Sequence, residues 1–125
     1  MGREDTPLFE RVGGQEFFDT LVEKFYEGVE TDELLRPMYP EDLEPGKVHL
    51  ATFLAQYWGG PDTYAETRGH PRLRMRHAPY KITKRARDAW LLHMRNAIDQ
   101  MDMDDFDRGE LLAYLEFAAK SLRNR

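Results

Sequence analysis

Cysteine is absent from the 125 residues. That excludes a disulfide, a thiolate metal site, a thiol nucleophile and covalent cofactor attachment through a Cys-x-x-Cys-His motif. Any metal must rest on His, Asp, Glu or Tyr. No apolar run approaches the ~20 residues of a membrane span, and Met1 to Glu10 lacks the basic start and apolar centre of a secretory signal. The expected location is the cytoplasm. The chain also lacks a Gly-rich phosphate loop, a Gly-x-Ser-x-Gly elbow, internal repeats and low-complexity tracts.

What is present describes a folded protein: hydrophobic residues at 41%, charged residues at 33% and aromatics at 12% argue against disorder. The length suits a single domain over 1–125. The net charge of −5 hides an uneven distribution, because Arg68 to Arg87 holds eight Lys or Arg and no acid, leaving 10 basic against 23 acidic residues elsewhere. One basic segment on an acidic chain reads as a localised anion site rather than a nucleic-acid face, which needs broad positive charge.

Helical spacing dominates. After Gly13-Gly14, the residues Phe17, Phe18, Leu21, Val22, Phe25, Tyr26 and Val29 form one apolar stripe. A short turn is predicted from Asp32 to Arg36, ended by Pro37, with 37–45 as a corner. A third helix is predicted over Gly46 to Trp58, stopped by Gly59-Gly60-Pro61, followed by loop from Asp62 to Pro71. Arg72 to His77 reads as a short helix started by Pro71. Thr83 is the expected N-cap of a long helix with Ala86, Ala89, Trp90, His93, Met94, Ala97, Ile98 and Met101 inside. A last helix runs from Asp105 to Leu122 with Leu111, Leu112, Leu115, Ala118, Ala119 and Leu122 inside. The class is all-α.

The four histidines, at 49, 70, 77 and 93, make no obvious zinc pair, and the acids at 102, 104, 105 and 107 lack the order of a calcium loop. They read as an interhelix turn with helix-start acids. Tyr26 lies on an apolar face, Tyr39 at a proline-bounded corner and Trp90 in the centre of a helix. Taken singly, each is a core aromatic whose polar tip reaches backbone or water, and His77 is a surface histidine. Their joint pattern resists that account.

Together with Val12-Gly13-Gly14, Phe25-Tyr26, Met38-Tyr39-Pro40, the run Gln56-Tyr57-Trp58-Gly59-Gly60-Pro61, the run Gly69 to His77, and Asp88-Ala89-Trp90, the chain resembles the group II truncated haemoglobins. The stretch Tyr57 to His77 is the specific part. The resemblance implies a truncated globin, a two-on-two helical sandwich around haem b (iron protoporphyrin IX). It implies that His77 is the proximal iron ligand, that Tyr26 and Tyr39 are distal tyrosines, and that the indole N–H of Trp90 points toward the bound ligand. Gly46 and Leu50 match distal helix positions, and glycine at 46 leaves ligand access there less obstructed.

The residues agree with that implication on physical grounds. Haem is a flat apolar disc with two anionic propionates, and needs an apolar slot and a basic rim. Leu50, Phe53, Leu54, Leu73, Met75 and Trp90 can line the slot; Arg76 and Tyr80 are the expected rim, with Lys47 or His49 as its alternatives. His49 is the rival iron ligand and is expected at the haem edge near a propionate. The expected function is to bind dioxygen or another diatomic ligand and release it slowly, for storage, sensing or scavenging. The first alternative is a haem oxidoreductase acting on nitric oxide, peroxide or sulfide through an unidentified reductase. The second is a cofactor-free helical module docking an acidic partner. An oligomer is compatible with the sequence.

Overall fold

Residues 6–125 are described by the computed structural model. Among them every regular element is helical: α1 (Leu8–Arg11), α2 (Gln15–Glu30), a 3-10 turn (Arg36–Met38), α3 (Glu44–Tyr57), α4 (Thr63–Arg68), α5 (Leu73–His77), α6 (Lys84–Asp99) and α7 (Asp105–Leu122). None of these helices is long and apolar enough to cross a membrane. The chain divides into two compact units, Met1–Glu23 with Asp42–Pro71, and Lys24–Glu41 with Arg72–Arg125. Helix α2 gives its first half to one and its second half to the other.

The apolar stripe of α2 is realised in full, with all seven of its residues buried. In the first unit the Phe9 ring stacks on Phe18 at 6.1 Å, and the Phe9 N–H donates to the Trp58 carbonyl at 3.0 Å. That close approach explains the Gly-Gly pair ending α3. Gly59 has φ +102°, and a Cβ there would stand 2.5 Å from Pro7 Cβ; one on Gly60 would stand 2.6 Å from the Phe9 ring.

Three boundaries differ from the sequence reading. Pro37 lies inside the 3-10 turn rather than ending a helix before it, since a fixed φ near −65° and a missing N–H suit a first helical turn. For the same reason Pro45 joins the first turn of α3, which begins at Glu44 and shortens the expected corner. Arg72 is left-handed at φ 45°, so α5 starts at Leu73.

The expected loop after Pro61 contains α4, anchored by the buried Tyr64 ring edge-on to Phe53 at 5.5 Å and by Gln56 Oε1 accepting from the Ala65 N–H at 2.9 Å. Helix α1 was not foreseen; like α4 it is too short for a periodic signal.

In the second unit α6 and α7 pack together, and α5 packs on α7. Thr83 caps α6, its hydroxyl accepting from the Ala86 N–H at 3.1 Å. Asp104 caps α7, accepting from Phe106 N–H at 2.7 Å, with Asp105 and Asp107 in the first turn, where acids complement the helix dipole. The core of α6 is Ala86, Leu91, Met94, Ala97 and Ile98; of the residues expected inside, Ala89, Trp90, His93 and Met101 are only half-buried, and Leu91 is in the core instead.

Candidate functional site

His77 is the last residue of α5, and its Nδ1 lies 2.6 Å from the Leu73 carbonyl one turn earlier. A carbonyl only accepts, so Nδ1 carries the proton and Nε2 carries the lone pair that a metal requires. The preceding Arg76 and Leu73 are half-buried, whereas Met75 is 67% and Tyr80 46% exposed. Asn124, beyond α7, steadies the segment that follows. Its Nδ2 donates to the Tyr80 carbonyl at 2.9 Å and to the His77 carbonyl at 3.4 Å, while its Oδ1 accepts from the Ile82 N–H at 2.9 Å. Sequence reasoning missed Asn124, because nothing local distinguishes a terminal asparagine.

The three expected distal donors come together in the same unit. The rings of Tyr26 and Tyr39 meet edge-on at 5.7 Å, and Trp90 meets Phe25 at 5.2 Å. Burial pushes the Tyr39 phenol above its ordinary pKa of 10.0; neighbouring Tyr26 adds to this, and a hydrogen bond from Trp90 opposes it. Indole has a donor and no acceptor, so Trp90 can act on the Tyr39 hydroxyl only as the donor. The phenol of Tyr39 therefore remains protonated, and a donor, at neutral pH.

Tyr39 owes its place to Arg36, whose Nη1 donates to the carbonyls of Tyr39 at 3.4 Å and Pro40 at 2.9 Å, and whose Nη2 donates to that of Glu41 at 2.9 Å. One guanidinium thus gathers the corner from behind. Asp32, His93 and Gly28 form a second support unseen in the sequence. His93 Nε2 donates to Asp32 Oδ2 at 2.7 Å.

In the first unit, α3 carries Gly46 in its first turn, followed by Leu50 and Phe53, both half-buried, and the buried Leu54. The Nε2 of His49 accepts from Arg68 Nη1 at 3.3 Å. Lys47 pairs with Glu23 at 2.8 Å and Glu44 at 3.2 Å. The two alternative rim groups are thus engaged with side chains of their own unit. Among the described residues no three His, Asp or Glu side chains converge as a metal site.

These residues fit haem. One imidazole with Nδ1 held and Nε2 presenting a lone pair has the chemistry that a globin's iron ligand would need. Phenol and indole donors set among aromatic rings suit a polarised diatomic ligand. The acid-free segment containing His77 can meet carboxylates.

Comparison with known proteins agrees. A family model for bacterial-like globins matches residues 7–124. The group 2 truncated hemoglobin YjbI of Bacillus subtilis is 39% identical over the whole chain and 94% of its own length. The thermostable hemoglobin of the actinobacterium Thermobifida fusca is 52% identical, with a TM-score of 0.93 over 95% of this chain and 98% of that one. A truncated oxygen-avid haemoglobin from Bacillus subtilis, 39% identical, superposes with a TM-score of 0.90 over 95% of this chain and all of the other. The chain accordingly belongs to the bacterial-like globins as a group II truncated haemoglobin, all-α in fold, whose function is to bind haem and, through it, oxygen.

Proposed function

We propose that the whole chain serves as one haem b domain, with His77 as proximal ligand and Tyr26, Tyr39 and Trp90 as distal donors, and that its task is tight, slowly released binding of a diatomic ligand. Haem, when bound, supplies a ferrous iron with a coordination position open to that ligand. The protein supplies the rest. Leu73 fixes the His77 tautomer, so the ring keeps one orientation. Arg76, with Tyr80, meets the propionates. Leu50, Phe53, Leu54, Leu73, Met75 and Trp90 would supply apolar contacts to the macrocycle, and Gly46 and His49 are the further α3 residues assigned to the site.

The observation that carries the proposal is the cluster in which Tyr39 meets Tyr26 edge-on at 5.7 Å and Trp90 lies against Phe25 at 5.2 Å, all within one unit. Donors fixed in place, as Tyr26, Tyr39 and Trp90 are, would stabilise partial negative charge on a diatomic ligand with no reorganisation. Two or three such bonds at about 1–1.5 kcal/mol each slow release by about two to three orders of magnitude. Release that slow suits storage, sensing or scavenging in the cytoplasm better than oxygen transport. The same donors would polarise nitric oxide, peroxide or sulfide in an oxidoreductase, and steady turnover with an added reductase would mark that role.

The test is the visible spectrum of the protein as purified and of His77→Gly. A Soret band is expected in the parent, and its loss or dependence on added imidazole in the variant. A variant that kept a normal five-coordinate ferrous spectrum without imidazole would remove His77 from its role.

A further inference from the structure

Behind Tyr39 and Trp90 lies a contact that the donor cluster does not contain. Asp32, in the turn after α2, accepts the N–H groups of Leu34 and Leu35 on Oδ1 at 2.8 and 3.1 Å and the imidazole of His93 on Oδ2 at 2.7 Å. Both side chains are largely buried, at 18% and 16% exposure for His93 and Asp32. His93 is on α6 one turn beyond Trp90, and Asp32 opens the turn that leads through Arg36–Met38 to Tyr39.

The imidazole reaches Asp32 by crossing α2 at Gly28. A Cβ there would stand 2.3 Å from His93 Nδ1 and 2.8 Å from its Cγ. A glycine inside a helix costs roughly 0.5–1 kcal/mol relative to alanine; here its missing side chain is what admits the ring.

The geometry points to Asp32 and His93 as positioning residues: seated over Gly28, they latch the segment that carries Tyr39 to the helix that carries Trp90, and so set the aim of both donors on the ligand. A carboxylate that accepts two backbone N–H groups and one imidazole allows little sliding between these elements, because the charge-assisted bond to His93 holds only near its present length. Donors act on a developing charge in proportion to how well they are held in place. The inference rests on the proposed role of Tyr39 and Trp90 as distal donors.

Three variants of the protein as purified test it: His93→Leu, which deletes the donor; Gly28→Ala, which displaces the ring while improving helix propensity; and His93→Gln, whose amide can still donate to Asp32. The readouts are oxygen dissociation by stopped flow and the NMR shift and hydrogen exchange of the Trp90 indole N–H.

His93→Leu and Gly28→Ala should release oxygen roughly threefold faster or more and quicken indole exchange, with His93→Gln restoring both. Should His93→Leu fail to fold, Gly28→Ala and His93→Gln carry the comparison. Unchanged dissociation and an unchanged indole signal beside a lowered Tm would overturn the latch. Absence of a Soret band would instead overturn the haem reading, while the indole signal would still show whether the latch holds Trp90.

Discussion

Replacing Trp90 with phenylalanine separates hydrogen bonding from most of the packing. The phenyl ring keeps an aromatic wall beside Phe25, whose ring now lies 5.2 Å away, and deletes a single N–H. Two consequences follow from the geometry. With a ligand bound, the single indole N–H of α6 is proposed to serve the ligand in place of Tyr39, and losing that bond of about 1–1.5 kcal/mol corresponds to about tenfold faster oxygen dissociation. Tyr39 loses the hydrogen bond that opposes the rise in its pKa, so its phenol should titrate at still higher pH than in the parent. Stopped-flow dissociation reads the first effect and ultraviolet titration of tyrosinate the second. Tyr26→Phe and Tyr39→Phe should each be milder in dissociation, because either remaining hydroxyl can rotate toward the ligand. If Trp90→Phe left dissociation unchanged while either tyrosine variant released oxygen quickly, the indole would serve only Tyr39 and the ranking would be refuted.

Arg76→Ala should speed haem loss to an apoglobin acceptor without changing the axial-ligand spectrum; unaltered retention at both low and high salt would move the propionate contact elsewhere. Gly59→Ala should lower Tm by the equivalent of about 1–3 kcal/mol, since φ +102° is strained for alanine and its Cβ would meet Pro7 at 2.5 Å; an unchanged melting curve would show that the N-terminal segment yields freely. Asp32 lies below its ordinary pKa of 3.8, chiefly through the hydrogen bond from His93, against an opposing desolvation and with help from the Leu35 and Leu34 N–H groups. Its stabilising contribution is therefore whole above about pH 3.8 and lost as pH falls through the lower folded value. Acid unfolding of Asp32→Asn should lack that component, and curves of equal slope for parent and variant would contradict the assignment.

Long periodic helices were legible because burial repeats along them. The stripe from Phe17 to Val29 was read residue by residue, and α7 was placed at its observed limits, because each position is fixed by the same face. Short elements carry no such repetition. α4 is held by one buried tyrosine and one glutamine bond from α3, neither of which is a local property of residues 63–68. Pro37 does not terminate a helix: there, as at 45, proline occupies a first turn, where its missing N–H costs nothing.

The site shows the same division. The functional side chains are chemically conspicuous, and a tyrosine at a proline corner or a histidine in an acid-free run stands out in one dimension. What aims them does not. Asp32 and His93 are separated by sixty-one positions in the chain, and each alone is ordinary: an aspartate after a helix and a histidine on an inner face. The signal that could have joined them is Gly28, a glycine inside α2, the described helix whose apolar residues are gathered most sharply on one face. An interior glycine weakens a helix, and at 28 the space it leaves is taken by the His93 ring from α6. Of the residues expected on the inner face of α6, Trp90 and His93 combine a ring with an N–H that needs an acceptor once it is desolvated, and the imidazole is the one seated over Gly28. The imidazole seated over Gly28 needs an acceptor for its N–H, and Asp32, in the turn after α2, supplies it at 2.7 Å.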